Sequence, residues 1–333
     1  MMQLAVVGAA GLVGQSVLEL LAERQFPAER VFAVDGLEHE ASTVAYGNLE
    51  LDIRQLDEFG FENVALAIFV AGSAVAREYV PQARAAGVTV IDFSDAYRLD
   101  AEVPLVVPSV NGSQLEGLEA GALVAAPNCT VTPLAMALQP LLPLQPRRLT
   151  VSTYQSVSGA GQKALEELAE QTTALFSQRD SENTVFAKRI AFNVLPQIGD
   201  VDADGHSDEE RSLSAELRRL LQQPELQVEA SCIRVPVFFG HAWSVNLEVA
   251  GDIDLAQVRN RLLAAGLQLI SADQHGGYIT PMEATGNDGV WISRLRQTGN
   301  SISFWLAADN VRVGAALNCV LLAESLYKAG LFE

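Results

Sequence analysis

Positive charge is scarce in this chain. Lysine and arginine number 22 against 41 acidic residues, a formal net charge of −19 at pH 7. Nucleic acid and anionic membrane surfaces both require a basic face, so neither is expected as a partner. Cysteine is scarcer still. Cys129, Cys232 and Cys319 stand far apart with no C-x-x-C pair, which excludes a zinc cluster and a disulfide framework. No apolar run reaches the ~20 residues needed to span a bilayer. The opening stretch MMQLAVVGAAGLVG lacks a basic n-region and runs straight into glycines, so it is not read as a secretory signal. Internal repeats, low-complexity tracts and flexible linkers are absent as well. What is plentiful is core material. Hydrophobic residues make up 49% of 333 positions, enough for two domains at ~150 residues each. An acidic cytoplasmic enzyme without a bound metal is the plain expectation.

The apolar pattern changes character along the chain. Short apolar runs at 3–7, 30–34, 64–70, 88–91 and 122–126 read as buried strands. Helical stretches after the first glycines, at 74–86 and at 131–139 alternate with them, the rhythm of βαβ units and a parallel sheet. Beyond about residue 145 the strands at 147–156, 229–237, 243–249 and 302–307 have fewer helices between them, although 162–177 is helical. That pattern predicts a second α+β domain with a mixed or antiparallel sheet. Residues 314–329 form an amphipathic helix along Ala315, Cys319, Leu322 and Leu326, which needs a partner surface. The fold class is therefore α/β, a Rossmann-type doubly wound parallel sheet plus a second α+β domain.

Two local features carry chemistry. Gly8, Gly11 and Gly14 lie between the first strand and its helix. Missing Cβ atoms let backbone approach a pyrophosphate, and the helix N-terminus supplies N–H groups and the positive end of its dipole. Packing of helix on strand would use the same glycines. Asp35 follows the second strand, 21 positions after Gly14, where a carboxylate accepts from a ribose 2′-hydroxyl; a solvated loop acid is the alternative. No Arg or Lys lies between Val31 and Gly47 to hold a 2′-phosphate, which favours NAD over NADP. Cys129 ends a strand and opens a helix, a placement that exposes a thiolate at the carboxyl edge of an open sheet. Cys232 and Cys319 lie inside apolar runs and read as packing.

APNCT at 126–130, STYQSVSGAG at 152–161, FNVLPQI at 192–198 and IRVPVFFGHAWSV at 233–245 resemble the aspartate-semialdehyde dehydrogenase family, as do 76–92 and VPLVVPSVN at 103–111. The resemblance runs nearly end to end. It implies a dinucleotide-binding domain over 1–130, a catalytic and dimerisation domain over 131–313, and a closing helix at 314–333 that returns to the first domain. It implies NADP-dependent reductive dephosphorylation of aspartyl phosphate through a thioacyl group on the cysteine, in a homodimer or tetramer. Cys129 then takes the nucleophile's place, His241 the acid/base and Gln155 the residue that orients the thioester. Arg234 corresponds to the arginine on the substrate carboxylate, Glu210 to the acid on its amino group, and Arg98 to the arginine of the phosphate site. Gly8, Ala10, Gly11, Leu12, Val13 and Gly14, with Ala71, Gly72, Ser73, Ser158, Gly159 and Asn310, fall where the family contacts the dinucleotide. The residue types suit these roles: an imidazole manages a proton near neutrality, and a guanidinium grips a carboxylate with two parallel bonds. Arg234 and His241 are seven apart, so the strand must break or bulge at 237–240 for both to reach one pocket.

The chain also departs from the pattern. Asp35-Gly36-Leu37-Glu38-His39-Glu40 stands where the family has an Arg-Ser-Ala-Gly-Lys-like stretch for the 2′-phosphate. Ser212, Phe93 and Val313 replace a phosphate-site lysine, an asparagine and a second lysine. The losses cluster on phosphate and cofactor while the thiol–imidazole pair survives, as in the divergent proteobacterial side branch of the family. NAD or NADP remains the expected cofactor, with NAD favoured, and a small-molecule acyl compound the expected substrate. A non-catalytic homodimer and a thiol acyl-transfer enzyme without nicotinamide are the alternatives. Ser207-x-x-Glu210 also fits a helix capping box, which competes with a substrate role for Glu210. Asp200, Asp202 and Asp204 look like the start of a calcium loop, but Arg211 stands at its twelfth position, so no metal is expected. A two-fold dimer through the second domain is expected, with Tyr154, Phe304 and Trp305 as aromatics suited to an interface.

Overall fold

The computed structural model describes residues 2–36 and 42–332. The chain forms two compact units, one of Met1–Asn128 with Ala315–Glu333, the other of Cys129–Gly314.

The first unit is built on seven strands: β1 Gln3–Val7, β2 Arg30–Asp35, β3 Thr43–Tyr46, β4 Leu49–Gln55, β5 Leu66–Phe69, β6 Thr89–Asp92 and β7 Leu123–Ala125. Their order is β3-β4-β2-β1-β5-β6-β7, parallel throughout except for the β3–β4 hairpin at one edge. The central strands are buried, which is why β5 and residues 4–7 of β1 are continuous apolar runs instead of alternating ones. From β1 the chain steps one way to β2 and then the other way to β5, so a topological switch point lies at the carboxyl end of β1. Register sets Val7 beside both Val34 and Phe69, and the three strand ends coincide there. The helix Leu317–Lys328 packs in this unit, its Leu322 and Leu326 joining Leu18 and Leu21 of helix Leu12–Glu23 in one core. Arg24 and Glu324 close the same contact with a salt bridge at 2.6 Å.

The second unit carries β8 Pro146–Gln155, β9 Gln227–Arg234, β10 His241–Val249, β11 Gln268–Leu269, β12 Trp291–Thr298 and β13 Ser301–Ala308. The order β11-β12-β13-β10-β8-β9 mixes parallel and antiparallel pairs, as the pattern predicts. Strand alternation buries Leu149, Val151, Thr153 and Gln155 on one face of β8 and leaves Arg148 and Thr150 on the other. The segment 235–240 does not bulge within one strand. It leaves the sheet after β9, passes the end of β8, and re-enters as β10. Gly240, at φ +84, makes the re-entry turn, and a Cβ there would meet Pro281 O at 2.4 Å.

Candidate active site

In the first unit the glycines divide by what surrounds them. Gly8 has φ +91, and a Cβ on it would lie 2.8 Å from Ala71 N. A Cβ on Gly14 would lie 2.1 Å from Gly8 O. These two allow backbone to pack on backbone. Gly11 and Gly72 do not serve packing in this way. Gly11 has only Gly8 O, at 3.5 Å, near its missing Cβ, and Gly72 has nothing within 4 Å. Each is the N-cap of a helix, Leu12–Glu23 and Ser73–Ala85, and neither is capped by a side chain. Two open glycine cradles at helix N-termini beside a switch point fit a dinucleotide pyrophosphate. Ala10, Leu12, Val13, Ala71 and Ser73 belong to the same two turns, and the Ser73 hydroxyl donates to Asp95.

Asp35 is neither solvated nor a simple loop acid. It is buried, its Oδ2 accepting from Ala10 N at 2.7 Å and its Oδ1 from Gly36 N at 2.8 Å. The carboxylate thus fixes the glycine turn against the end of β2. Glu38, His39 and Glu40 lie outside the described residues. Arg98 is also buried. Its guanidinium donates to Ala126 O at 3.1 Å and to Phe93 O, and stacks 5.3 Å from the Phe93 ring. Here the arginine expected at a phosphate braces two backbone carbonyls.

In the second unit, register assembles the chemistry. Gln155 of β8 pairs with Arg234 of β9. Ala242 of β10 pairs with Tyr154, so the antiparallel ladder brings His241 to the level of Gln155. Three adjacent strand ends thereby present Arg234, Gln155 and His241 on one face. Cys129, just before helix Val131–Leu138, places its Sγ 3.7 Å from His241 Nε2. The other ring nitrogen, Nδ1, accepts from Ser156 N at 3.1 Å, which leaves the ring proton of a neutral imidazole on Nε2, facing the sulfur. Burial, and then the charge of Arg234, hold the His241 pKa well below the ordinary histidine value. Arg234 donates Nη1–H to Ser156 O at 2.8 Å. Burial lowers its pKa while Glu209 and then Cys129 raise it, so the guanidinium shares the pocket with a carboxylate and the thiol. A Cβ on Gly159 would strike Arg234 Nη1 at 2.8 Å and His241 Nε2 at 3.3 Å, so this glycine keeps space between cation and imidazole. Gly314 has a similar role: a Cβ there would lie 2.7 Å from Cys129 O.

The acid in this pocket is Glu209, not Glu210. Glu210 completes the capping box of helix Asp208–Leu220, its Oε2 accepting from Ser207 N at 2.8 Å, and its Oε1 accepts from Cys232 N at 3.0 Å. With both oxygens on backbone, Glu210 is a structural residue. Glu209 instead accepts from Gln155 Nε2 at 3.1 Å and Thr130 Oγ1 at 3.2 Å. The signal was in the sequence, because a Ser-x-x-Glu box commits its own glutamate and leaves the preceding one available. Gln155 is held at both ends, since Thr153 Oγ1 donates to its Oε1 at 2.9 Å. Ser158 and Asn310 are buried and bonded to each other, Asn310 Nδ2 donating to Ser158 Oγ at 3.0 Å. At the aspartate-rich loop, Asp202 accepts from the N–H groups of Asp204 and His206 and pairs with Arg211 at 2.6 Å, a self-contained turn.

Known proteins share this architecture and sequence. The semialdehyde dehydrogenase NAD binding domain matches residues 3–118, and the semialdehyde dehydrogenase dimerisation domain matches residues 138–313. The aspartate-semialdehyde dehydrogenase of Rickettsia conorii is 41% identical over 328 residues, spanning 97% of each chain. The USG-1 protein homolog of Azotobacter vinelandii is 40% identical over 332 residues, spanning 98% of each. The crystal structure of aspartate semialdehyde dehydrogenase II complexed with ASA from Vibrio cholerae superposes with a TM-score of 0.94 at 36% identity, covering 98% of both chains. With an NAD-binding unit, a dimerisation unit and near full-length similarity, the chain belongs to the aspartate-semialdehyde dehydrogenase family.

Proposed function

We propose that this protein is an NAD(P)-dependent oxidoreductase that interconverts an aldehyde and an activated acyl compound through a thioester on Cys129. One observation carries this reading: the Cys129 sulfur sits 3.7 Å from His241 Nε2 with the Arg234 cation in the same pocket. A dinucleotide held at the Gly11 and Gly72 turns would supply or accept the hydride. Arg234 and the nearby helix N-terminus favour the thiolate, which attacks the carbonyl carbon. The Nε2–H of His241 faces the sulfur, so it donates a hydrogen bond to the carbonyl oxygen and stabilises the oxyanion formed as the thiolate adds; that oxyanion becomes the thioester carbonyl when the hydride leaves, and phosphate then displaces the Cys129 thiolate. Arg234 retains N–H donors beyond the one on Ser156 O and takes a substrate carboxylate. Glu209, in place of Glu210, takes a substrate ammonium group, and Gln155 holds that carboxylate in position. A small amino-acid aldehyde such as aspartate semialdehyde, the substrate in the relatives' names, matches this charge pattern.

For the cofactor we favour NAD. Asp35 presents a carboxylate at the end of β2, where it would repel a 2′-phosphate. The neighbouring strand brings Arg54 opposite Val34, but its guanidinium lies 4.5 Å from the Phe32 ring, committed to that face. The enzyme works as a homodimer through its second unit, in the cytoplasm with its small-molecule substrate.

Spectrophotometry of the purified enzyme with aspartate semialdehyde and phosphate tests the reading. The expected result is reduction of NAD at a higher kcat/KM than NADP, and loss of more than about a thousandfold in kcat for Cys129→Ser, the scale of removing a nucleophile. No turnover with either cofactor, or turnover untouched by Cys129→Ser, overturns the dehydrogenase reading. NADP used at least as well as NAD overturns the cofactor preference alone.

A further inference from the structure

Behind His241, on the side away from Cys129, lies a closed set of buried polar groups. Asn310 Oδ1 accepts from Gly240 N at 2.9 Å and lies 3.1 Å from Ser156 Oγ. Asn310 Nδ2 donates to Ser158 Oγ at 3.0 Å, and Ser158 Oγ is 3.0 Å from Ser156 Oγ. Ser156 completes the circuit at the imidazole, with both its N–H and its hydroxyl oxygen 3.1 Å from His241 Nδ1. All five residues except Gly240 carry side-chain polar atoms, and Ser156, Ser158, Asn310 and His241 are buried.

The donor inventory of this set has a consistent solution. The asparagine N–H donates to Ser158, the Ser158 hydroxyl to Ser156, and the Ser156 hydroxyl, alongside the Ser156 backbone N–H, to a bare His241 Nδ1. Asn310 also holds the N–H of Gly240, the residue immediately before His241, at the turn that starts β10. One side chain therefore fixes the ring from two directions, through the backbone that carries it and through the serine that bonds its Nδ1. A buried network with every member satisfied is rigid, and loss of one member leaves the others unpaired.

The geometry points to Asn310, with Ser156 and Ser158, as a positioning network that locks His241 in the Nε2–H tautomer aimed at Cys129. This rests on the dehydrogenase reading for its kinetic consequence but not for its structural one. It also gives Asn310 and Ser158 work that differs from dinucleotide contact, since the Asn310 oxygen, one of its side-chain N–H groups and the Ser158 hydroxyl are bonded inside the second unit.

The test combines nitrogen-15 spectroscopy of the His241 ring with kinetics on full-length protein, comparing wild type, Asn310→Ala and the milder Ser158→Ala. In wild type the ring is expected to show a protonated Nε2 and a bare Nδ1. Either substitution is expected to mix the tautomers, to lower kcat by about tenfold or more through misalignment, and to leave substrate KM and dinucleotide Kd within about twofold. A wild-type ring protonated at Nδ1 overturns the proposal, and so does a variant that keeps the wild-type tautomer. A weakened dinucleotide Kd with unchanged kcat overturns it in favour of a cofactor contact. If wild type lacks dehydrogenase turnover, the spectra of the same proteins still decide the network, and iodoacetamide alkylation of Cys129, expected to slow in both variants, replaces kcat as the functional readout. Should alkylation proceed at the wild-type rate in both variants, the proposal fails.

Discussion

The three cysteines share a side chain and differ in everything that governs reactivity. Cys232 and Cys319 are buried, and burial pushes each thiol up to about 12, with Glu209 adding to the effect on the first and Asp92 on the second. Cys129 is partly exposed, stands just before a helix, and lies close enough to Arg234 for the two charges to interact. Thiolate fraction and access set the alkylation rate. At neutral pH a brief, substoichiometric iodoacetamide treatment should therefore label Cys129 first, and Arg234→Met should slow that labelling. Peptide mapping by mass spectrometry reads the order. Cys129 emerging last among the three would sink the nucleophile assignment. The residue types of this site were legible in the sequence, because a cysteine after a buried strand and a glycine-flanked histidine each invite chemistry. Which glutamate faces the pocket was harder to see, as Glu209 and Glu210 are neighbours and only the cap separates their roles.

At the scale of elements, apolar periodicity located most of the fold. The run at 3–7 is β1 Gln3–Val7, 147–156 is β8 Pro146–Gln155, and the helical stretch 162–177 is Gln162–Phe176. Elements with little apolar content of their own escaped. The β3–β4 hairpin sits at a sheet edge, with Leu49 exposed, and β12 is largely polar beyond Ile292. Such strands exist because a neighbour offers its ladder, and that is a tertiary fact which local pattern does not carry. The seven-residue spacing of Arg234 and His241 calls for a break between them, and the strand breaks there; that the break crosses past β8, which unites both with Gln155, is a tertiary fact. The glycine turn after β1 separates packing from binding in one experiment. Gly14→Ala drives a Cβ to 2.1 Å from Gly8 O and should destabilise the protein by about 1–3 kcal/mol through overpacking. Gly11→Ala meets nothing closer than 3.5 Å, so it should cost at most about 1 kcal/mol at the helix cap while weakening NAD binding several-fold. Thermal melts and calorimetry decide. Unchanged NAD affinity in Gly11→Ala would falsify the cradle assigned to this turn.

On the scale of the whole molecule, assembly must bring together chains that each carry −19. Of the aromatics expected at an interface from the sequence, Phe304 is only 1% exposed, while Tyr154 and Trp305 are half-buried, the Trp305 indole N–H donating to Ile279 O at 2.9 Å. Apolar surface also lies elsewhere on the second unit. Phe176 is 78% exposed, Phe192 66% and Val194 58%, and the two rings meet edge to face at 5.8 Å. The segment bearing Phe192 is anchored by buried polar bonds, with Gln171 Oε1 accepting from Ile190 N at 2.9 Å and Ala191 N at 3.1 Å. Ordered, exposed aromatics within the residues matched by a dimerisation domain are suited to burial against a second copy. Sedimentation should therefore find a dimer at micromolar concentration and physiological salt. The dimer should tighten as salt rises, because screening over ~8–10 Å relieves repulsion between two acidic chains. Phe192→Asp should yield a folded monomer by setting a charge into the apolar patch, with secondary structure retained by circular dichroism. A wild-type monomer under these conditions would refute the dimer itself, and a Phe192→Asp protein that remains dimeric would move the interface away from this face.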